Sequence, residues 1–376
     1  MHSGDDYFTR LEELINGAKH EIHLQTYVFD SDETGTRIAN ALIKAAQRGV
    51  SIFMVLDAYG TDKLTKEMQQ QLKAVGIKLR FFGAIGSAGS LAWGRRLHHK
   101  IIVADRCRAL VGGINISNRY ANFDKKEWLD FALMIDGSAV QQIVKVCQQV
   151  YSQWFVQPQQ GYTQFEHFGG ENKGIKIQLQ QNDWLRSKNQ IAQAYAKAIK
   201  AAKHEIIIAN SYFLPGSFFR NLLKDAAKRG VKVKILLPGV SDVPLAKQAI
   251  NYLYRFLLRN NMEIYEWMPS VLHAKIACID GQWCTVGSYN LNYLSAYASI
   301  EFNVSVLDEE FSTRFAKYLH TQLLSDCVKV KKADFLGKQS LLKLFSYWFS
   351  FRLLKLSEAL LISFPGQHFF KANEYA

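Results

Sequence analysis

Two copies of one spaced pattern constrain this chain more than anything else in it. The first runs His98-His99-Lys100, then Asp105, then Gly112-Gly113-Ile114-Asn115. The second runs His273-Ala274-Lys275, then Asp280, then Gly287-Ser288-Tyr289-Asn290. In each copy the Lys lies two residues after the His, the Asp seven and the Asn seventeen. A lone His-x-Lys carries little information, because most such pairs are a strand end and a solvated Lys. Two matching patterns in corresponding places of two half-chains imply that each half supplies one His and one Lys to a shared site.

The duplication extends beyond the motif. Ala202-Lys-His-Glu-Ile206 repeats Ala18-Lys-His-Glu-Ile22, and Ala226-Ala-Lys-Arg-Gly-Val231 repeats Ala45-Ala-Gln-Arg-Gly-Val50. The offsets fall from 184 to 181 to 175 residues along the chain, as loop-length differences would make them. This is duplication of a whole domain rather than a short solenoid repeat. Within the first half, helical spacing over 7–19, 34–48 and 63–75 alternates with strand-like runs at 21–29, 51–56 and 77–82. That order predicts an α/β fold with a mainly parallel or mixed sheet in each half, flanked by helices and related by a pseudo-two-fold. A helix over 138–154 closes the first half.

We place the first domain at 1–155, a polar, Gly-rich linker at 156–174, and the second domain at 175–330. Residues 331–376 form a different kind of segment. Leu341 to Leu356 is rich in Leu, Phe and Trp and carries Lys343, Arg352 and Lys355. Cations at that density do not suit a spanning helix. They suit an amphipathic helix in a membrane interface, with docking of the helix on the second domain as the alternative. A Gly/Ser-rich loop, 83–96, ends in the basic pair Arg95-Arg96 before the first His.

The motif's chemistry follows from strand geometry. Residues i and i+2 share a face, so His98 points with Lys100 and His273 with Lys275. Two His, two Lys and two Asn around one point make a donor-rich, cationic site that fits a phosphate. One His can attack phosphorus while the other protonates the leaving alkoxide. The Lys and Asn groups would hold the non-bridging oxygens. No metal cluster and no cofactor are implied. The five cysteines show no disulfide or zinc spacing, which suggests a reducing compartment. Neither a signal peptide nor a transmembrane helix is expected. With 46 Lys+Arg against 33 Asp+Glu, the net charge of +13 favours anionic partners.

Both copies resemble the HxKxxxxD motif of the phospholipase D superfamily, including its GG/GS-x-N extension. Leu56-Asp57-Ala-Tyr-Gly60, Ser211-Tyr-Phe-Leu-Pro215, Leu236-Leu-Pro238 and Ile264-Tyr-Glu266 are similar to segments of cardiolipin synthases. The resemblance is to the short bacterial type without N-terminal transmembrane helices. It implies a phosphatidyltransferase in which phosphatidylglycerol loses glycerol and a second hydroxyl takes the phosphatidyl group. His98 would form the phosphatidyl-histidine and His273 would act as acid and then base. Lys100, Lys275, Asn115 and Asn290 would hold the phosphoryl oxygens, and Asp105 and Asp280 complete the motif, more often as structural than as substrate-touching groups. Asp130 and Glu301 match positions that orient a catalytic His. Leu294-Ser295 and Ser299 depart from the usual family pattern. The resemblance implies phospholipid substrates, an anionic membrane surface as partner, no nucleic acid, and a peripheral position on the cytoplasmic face of a bacterial membrane. A hydrolase releasing phosphatidic acid is the main alternative. A superfamily nuclease and a non-catalytic membrane-binding module are further ones.

Overall fold

The computed structural model describes residues 1–83, 95–122, 126–152, 174–186, 188–337 and 339–362. The expected linker at 156–174, save Gly174, most of the Gly/Ser-rich loop and the tail beyond 362 lie outside these residues.

The first half opens with α1 (Asp5–Gly17), β1 (Glu21–Thr26), α2 (Glu33–Gln47), β2 (Ser51–Asp57), α3 (Lys66–Ala74) and β3 (Lys78–Phe82). The apolar periodicity places Ile38, Ala41, Leu42 and Ala45 of α2 on the sheet, and all four are buried. Asp32 caps that helix by accepting from the Gly35 N–H, and Thr65 caps α3 by accepting from Met68. There follow β4 (Arg96–Leu97), β5 (Lys100–Ala104), β6 (Arg108–Gly112), β7 (Ala132–Asp136) and α4 (Ala139–Tyr151). The sheet order is β3-β2-β1-β5-β6-β7. Strands β3, β2 and β1 are parallel, whereas β5, β6 and β7 are antiparallel. The sheet is therefore mixed. The parallel part is the βαβ portion, and the motif itself is the hairpin β5–β6.

The second half begins with β8 (Ile177–Asp183), β9 (Lys188–Asn189), α5 (Gln190–Ala201), β10 (Glu205–Asn210), α6 (Ser217–Lys228), β11 (Lys232–Val240), α7 (Pro244–Arg259) and β12 (Glu263–Val271). Its motif hairpin is β13 (Lys275–Ile279) and β14 (Trp283–Gly287), followed by α8 (Tyr293–Tyr297), β15 (Ser299–Val306), α9 (Glu309–Tyr318) and β16 (Cys327–Lys329). The order β12-β11-β10-β13-β14-β15 reproduces the first sheet strand for strand, with β16 added at one edge and β8-β9 at the other.

The halves are stitched at the two motifs. β4, just before His98, pairs in parallel with β15 of the second half, and the His98 N–H donates to Ile300 O at 3.0 Å. Reciprocally, Leu129 bridges Leu272, and the His273 N–H donates to Leu129 O at 2.8 Å. Phe302 and Val304 of β15 pack into a core with Ile101 and Val103, while Leu129 and Phe131 pack among Leu272 and Ile276. Burial of these apolar chains, each worth about 1.5–3 kcal/mol, holds the two sheets in fixed relation.

The chain then forms α10 (Lys332–Gly337) and α11 (Leu341–Ile362). The expected apolar, basic helix is present, but its apolar residues are not confined to one face. Phe351 and Leu354 join the second-half core, and Phe351 stacks on Tyr252 of α7 at 4.7 Å. Ser346 and Ser350 donate to Gln248 Oε1. On the other face Leu341, Leu342, Phe345, Phe349 and Leu356 are exposed. Docking on the domain and an outward apolar face thus coexist. No helix among the described residues is long and apolar enough to cross a membrane.

Candidate active site

His98 and His273 occupy the mouths of the two hairpins, each just before the first strand. Alternation sends His99 away into the core, where its Nδ1 lies 2.9 Å from Gln25 Oε1 and burial pushes its pKa down to about 3. His98 and Lys100 share the opposite face, as the two-residue period requires.

Each His is held by an acid from the opposite half. His98 Nδ1 stands 2.8 Å from Glu301 Oε2, and His273 Nδ1 stands 2.6 Å from Asp130 Oδ2. Both acids are fully buried. A carboxylate at Nδ1 retains the proton there and leaves the Nε2 lone pair available. The supports are not symmetric. Ser288 Oγ donates to Glu301 Oε2 at 2.5 Å, whereas the equivalent position is Gly113. A Cβ at Gly113 would stand 2.3 Å from Asp130 Oδ1. The shorter acid needs the bare glycine to reach across, and the longer one is steadied by the serine.

Lys275 is fully buried and donates to Asp130 Oδ2 at 3.4 Å and to the His273 carbonyl; its Nζ also lies 2.7 Å from His273 Nδ1. Lys100 donates to the His98 carbonyl at 2.9 Å, and its Nζ lies 5.3 Å from the centre of the Tyr27 ring. Asn290 accepts from Ser211 Oγ at 2.8 Å, and its Nδ2 has no partner among the described residues. Asn115 accepts from the Val28 N–H at 3.1 Å and donates to the Tyr120 hydroxyl at 2.9 Å. Lys100 and Asn290 thus retain free N–H donors, while Lys275 and Asn115 are already engaged. Tyr27 packs edge-on to His98 and Tyr212 edge-on to His273.

Burial governs the protonation states. It lowers His98, against the opposing pull of Glu301, and lowers His273 well below its ordinary value, helped by Lys275 and Lys100. Lys100 falls to about 7, chiefly by burial, and Lys275 is lowered for the same reason. Burial raises Asp130 to about 6, with Lys275 opposing. The Lys275 charge reaches His98, and the Lys100 charge reaches His273, so both pairs share one electrostatic site. Two neutral imidazoles beside two cations form a site that gains from a bound anion.

Asp105 and Asp280 do not join it. Grouping them with the catalytic residues is corrected by their position in the hairpin turns, at the far ends of β5 and β13. Asp105 accepts the N–H groups of Lys19, His20 and Glu21 at 2.7–3.0 Å. Asp280 does the same with Lys203, His204 and Glu205 at 2.7–2.9 Å. Both have left-handed backbone, with φ of 50° and 53°. Each is an anchor tying its motif hairpin to the start of the neighbouring strand. The pair Arg95-Arg96 also divides. Arg95 is buried in an ion pair with Asp183, and Arg96 lies 4.6 Å over the Tyr59 ring.

One further residue holds the site. Asp57 is fully buried, accepts the Leu97 N–H at 2.7 Å, and also accepts from Tyr59 and Gly60. It fixes the backbone one residue before His98. The signal for it is an Asp closing an apolar strand ahead of Tyr-Gly.

A family model described as "Cardiolipin synthase, PLD-like domain" matches residues 11–153 and 195–323. The chain is 31% identical over 341 residues to cardiolipin synthase B of Salmonella typhimurium, covering 89% of this chain and 82% of that one. It is 30% identical over 342 residues to cardiolipin synthase B of Escherichia coli K12, covering 88% and 81%. Among solved structures, phosphatidylserine synthase of Haemophilus influenzae superposes with a TM-score of 0.72 over 96% of this chain and 93% of that one. Their sequences are 14% identical, so that likeness concerns the fold.

Proposed function

The chain belongs to the cardiolipin synthase family of phospholipase D-like proteins, and from that membership we propose that it is a phosphatidyltransferase making cardiolipin or a related phospholipid from phosphatidylglycerol. The observation that carries the reading is the crossed pairing, in which His98 is held by Glu301 and His273 by Asp130.

In the first step His98 Nε2 attacks the donor phosphorus. A P–N bond forms, the P–O bond to glycerol breaks, and protonated His273 gives its proton to the leaving oxygen. The phosphodiester charge favours that proton, offsetting the burial that keeps His273 neutral in the empty site. In the second step His273 takes a proton from an incoming hydroxyl, whose oxygen forms the new P–O bond as the P–N bond breaks. Lys100 and Asn290 supply free donors for the non-bridging oxygens, and Lys275 and Asn115 brace the far side. Glu301 and Asp130 hold each Nδ1–H and stabilise the imidazolium formed in each step.

The exposed apolar face of α11 supports working at a membrane surface. Leu341, Leu342, Phe345 and Phe349 would enter the headgroup boundary, with Lys343 against anionic lipid. In this reading the protein is peripheral on the cytoplasmic face of the membrane, where its lipid substrates are.

Thin-layer chromatography of phosphatidylglycerol incubated with purified protein tests the transfer. Appearance of a cardiolipin-like product with free glycerol is the expected result. Phosphatidic acid as the sole lipid product would overturn transfer in favour of hydrolysis. A phosphorylated peptide containing His98, trapped during turnover, would identify the attacking residue.

A further inference from the structure

A second basic cavity lies outside the catalytic site, between α6, α7 and α11. Its volume is about 670 Å³, and Arg220, Arg255, Arg259 and Arg352 all line it. Asn251, Arg255 and Arg259 follow one another at four-residue spacing on α7, which puts them on one helix face. Arg220 comes from α6 and Arg352 from α11. None of the four arginines has a carboxylate partner among the described residues. Arg220 donates to the Pro215 carbonyl, and Arg352 lies 5.9 Å over Trp348. Like charges gathered without counter-charge repel one another. Guanidinium groups are also the side chains best shaped to grip phosphate in a bidentate manner. Asn251 Oδ1 is buried in this region without a hydrogen-bond partner. Apart from Asn260, the remaining wall is apolar or aromatic, including Tyr347 and Phe351.

We propose that this cavity binds the headgroup of an anionic phospholipid, separately from the lipid that reacts. The arginines take the phosphate, and a headgroup hydroxyl donates to Asn251 Oδ1. The acyl chains leave along α11, whose outward residues Phe345, Phe349 and Leu356 are exposed. A free phosphate satisfies the arginines alone. A phospholipid also uses the apolar wall and the unpaired Asn251 oxygen, so the lipid is the occupant that fits the whole cavity. The site couples the protein's hold on the membrane to its anionic lipid content, and so to the class of its own donor and product.

The inference builds on the membrane part of the reading above but does not require turnover. It is tested by binding in His98→Ala protein, so its failure leaves the transferase reading standing, and failed transfer leaves this site standing. Sedimentation with phosphatidylcholine vesicles containing phosphatidylglycerol compares two variants of equal charge. One is Arg255→Gln/Arg259→Gln/Arg352→Gln. The other is Lys44→Gln/Lys66→Gln/Lys73→Gln, which removes exposed charges of the first half. The expected result is a loss of vesicle affinity of about tenfold or more in the first and about threefold or less in the second. Arg352→Gln alone, on the exposed side of α11, is expected to show part of the loss without any risk to the core. Calorimetry then compares soluble short-chain phosphatidylglycerol with inorganic phosphate, and only the lipid is expected to bind in an arginine-dependent way. Equal losses in the two triple variants overturn the site. Inorganic phosphate binding as tightly as the lipid overturns the lipid assignment.

Discussion

His273 Nδ1 lies 2.6 Å from Asp130 Oδ2, a carboxylate that belongs to the other half of the chain and also takes the fully buried Lys275 at 3.4 Å. One acid therefore orients an imidazole and neutralises an ammonium. Asp130→Asn is expected to lower kcat by about 100-fold or more, with a smaller effect on KM, because the imidazole loses its anionic partner. The same change leaves Lys275 without its carboxylate, which is expected to destabilise the fold by about 3 kcal/mol. Steady-state kinetics and denaturant unfolding check the two parts. Glu301→Gln should reproduce the kinetic loss with less loss of stability, since Glu301 holds a His and a Ser rather than a Lys.

The pH profile follows from two buried groups. Asp130 titrates near 6, so its orienting charge is lost as pH falls through about 6. Lys100 titrates near 7, so its cation is lost as pH rises through about 7. We expect kcat/KM to be bell-shaped with its maximum between these limits. Bound phosphodiester holds Lys100 charged, so the alkaline limb of kcat should lie at higher pH than that of kcat/KM. An alkaline limb identical in both profiles would show that Lys100 does not meet the phosphate.

Gly113→Ala tests the asymmetry of the two supports. The added methyl would stand 2.3 Å from Asp130 Oδ1, so the carboxylate must move off His273. Activity is expected to fall by about 100-fold. Gly113→Ser is expected to fall as far, although a serine stands at the matching position 288.

Asp105→Asn and Asp280→Asn separate anchoring from catalysis. Each removes the charge that draws three backbone N–H groups to the hairpin turn, a loss of about 1–3 kcal/mol in stability. At a temperature where the variants remain folded, kcat should stay within about tenfold of the parent protein. Burial opposes the lowering of the Asp280 pKa, but its three backbone bonds win. Its contribution is therefore present above the unfolded carboxylate value and lost as pH falls through the folded one. Thermal unfolding followed from neutral to acid pH checks that direction.

Replacing Phe345 and Phe349 by Ser removes exposed apolar area from α11. Partition onto vesicles is expected to drop by about tenfold or more, while turnover of a soluble short-chain substrate stays unchanged. Equal partition of the two proteins would remove α11 from the membrane contact.

The repeated order of helices and strands was legible in the chain because apolar spacing is a local property, read through periods of two and 3.6 residues. Asp57 was visible only as part of a family-like segment, since its role depends on the Leu97 N–H 40 positions away. The Arg95-Arg96 pair looked like one basic feature, but the tertiary fold buries Arg95 against Asp183 and leaves Arg96 over Tyr59. The tail's composition was plain, yet which of its apolar residues dock and which face outward depended on α7 being beside it.

By itself, the sequence determined that the chain is two copies of one α/β unit and that each copy brings His98 with Lys100, or His273 with Lys275, to one strand face. Those are consequences of spacing along a single strand. Only the tertiary structure decided that Glu301 crosses to His98 and Asp130 to His273, that Gly113 makes room for one acid while Ser288 steadies the other, and that Asp105 and Asp280 are anchors. The crossed pairs depend on how the two halves pack against each other, a relation between residues 143 and 203 positions apart. No local pattern encodes it, because the energy that sets it comes from burying one half against the other.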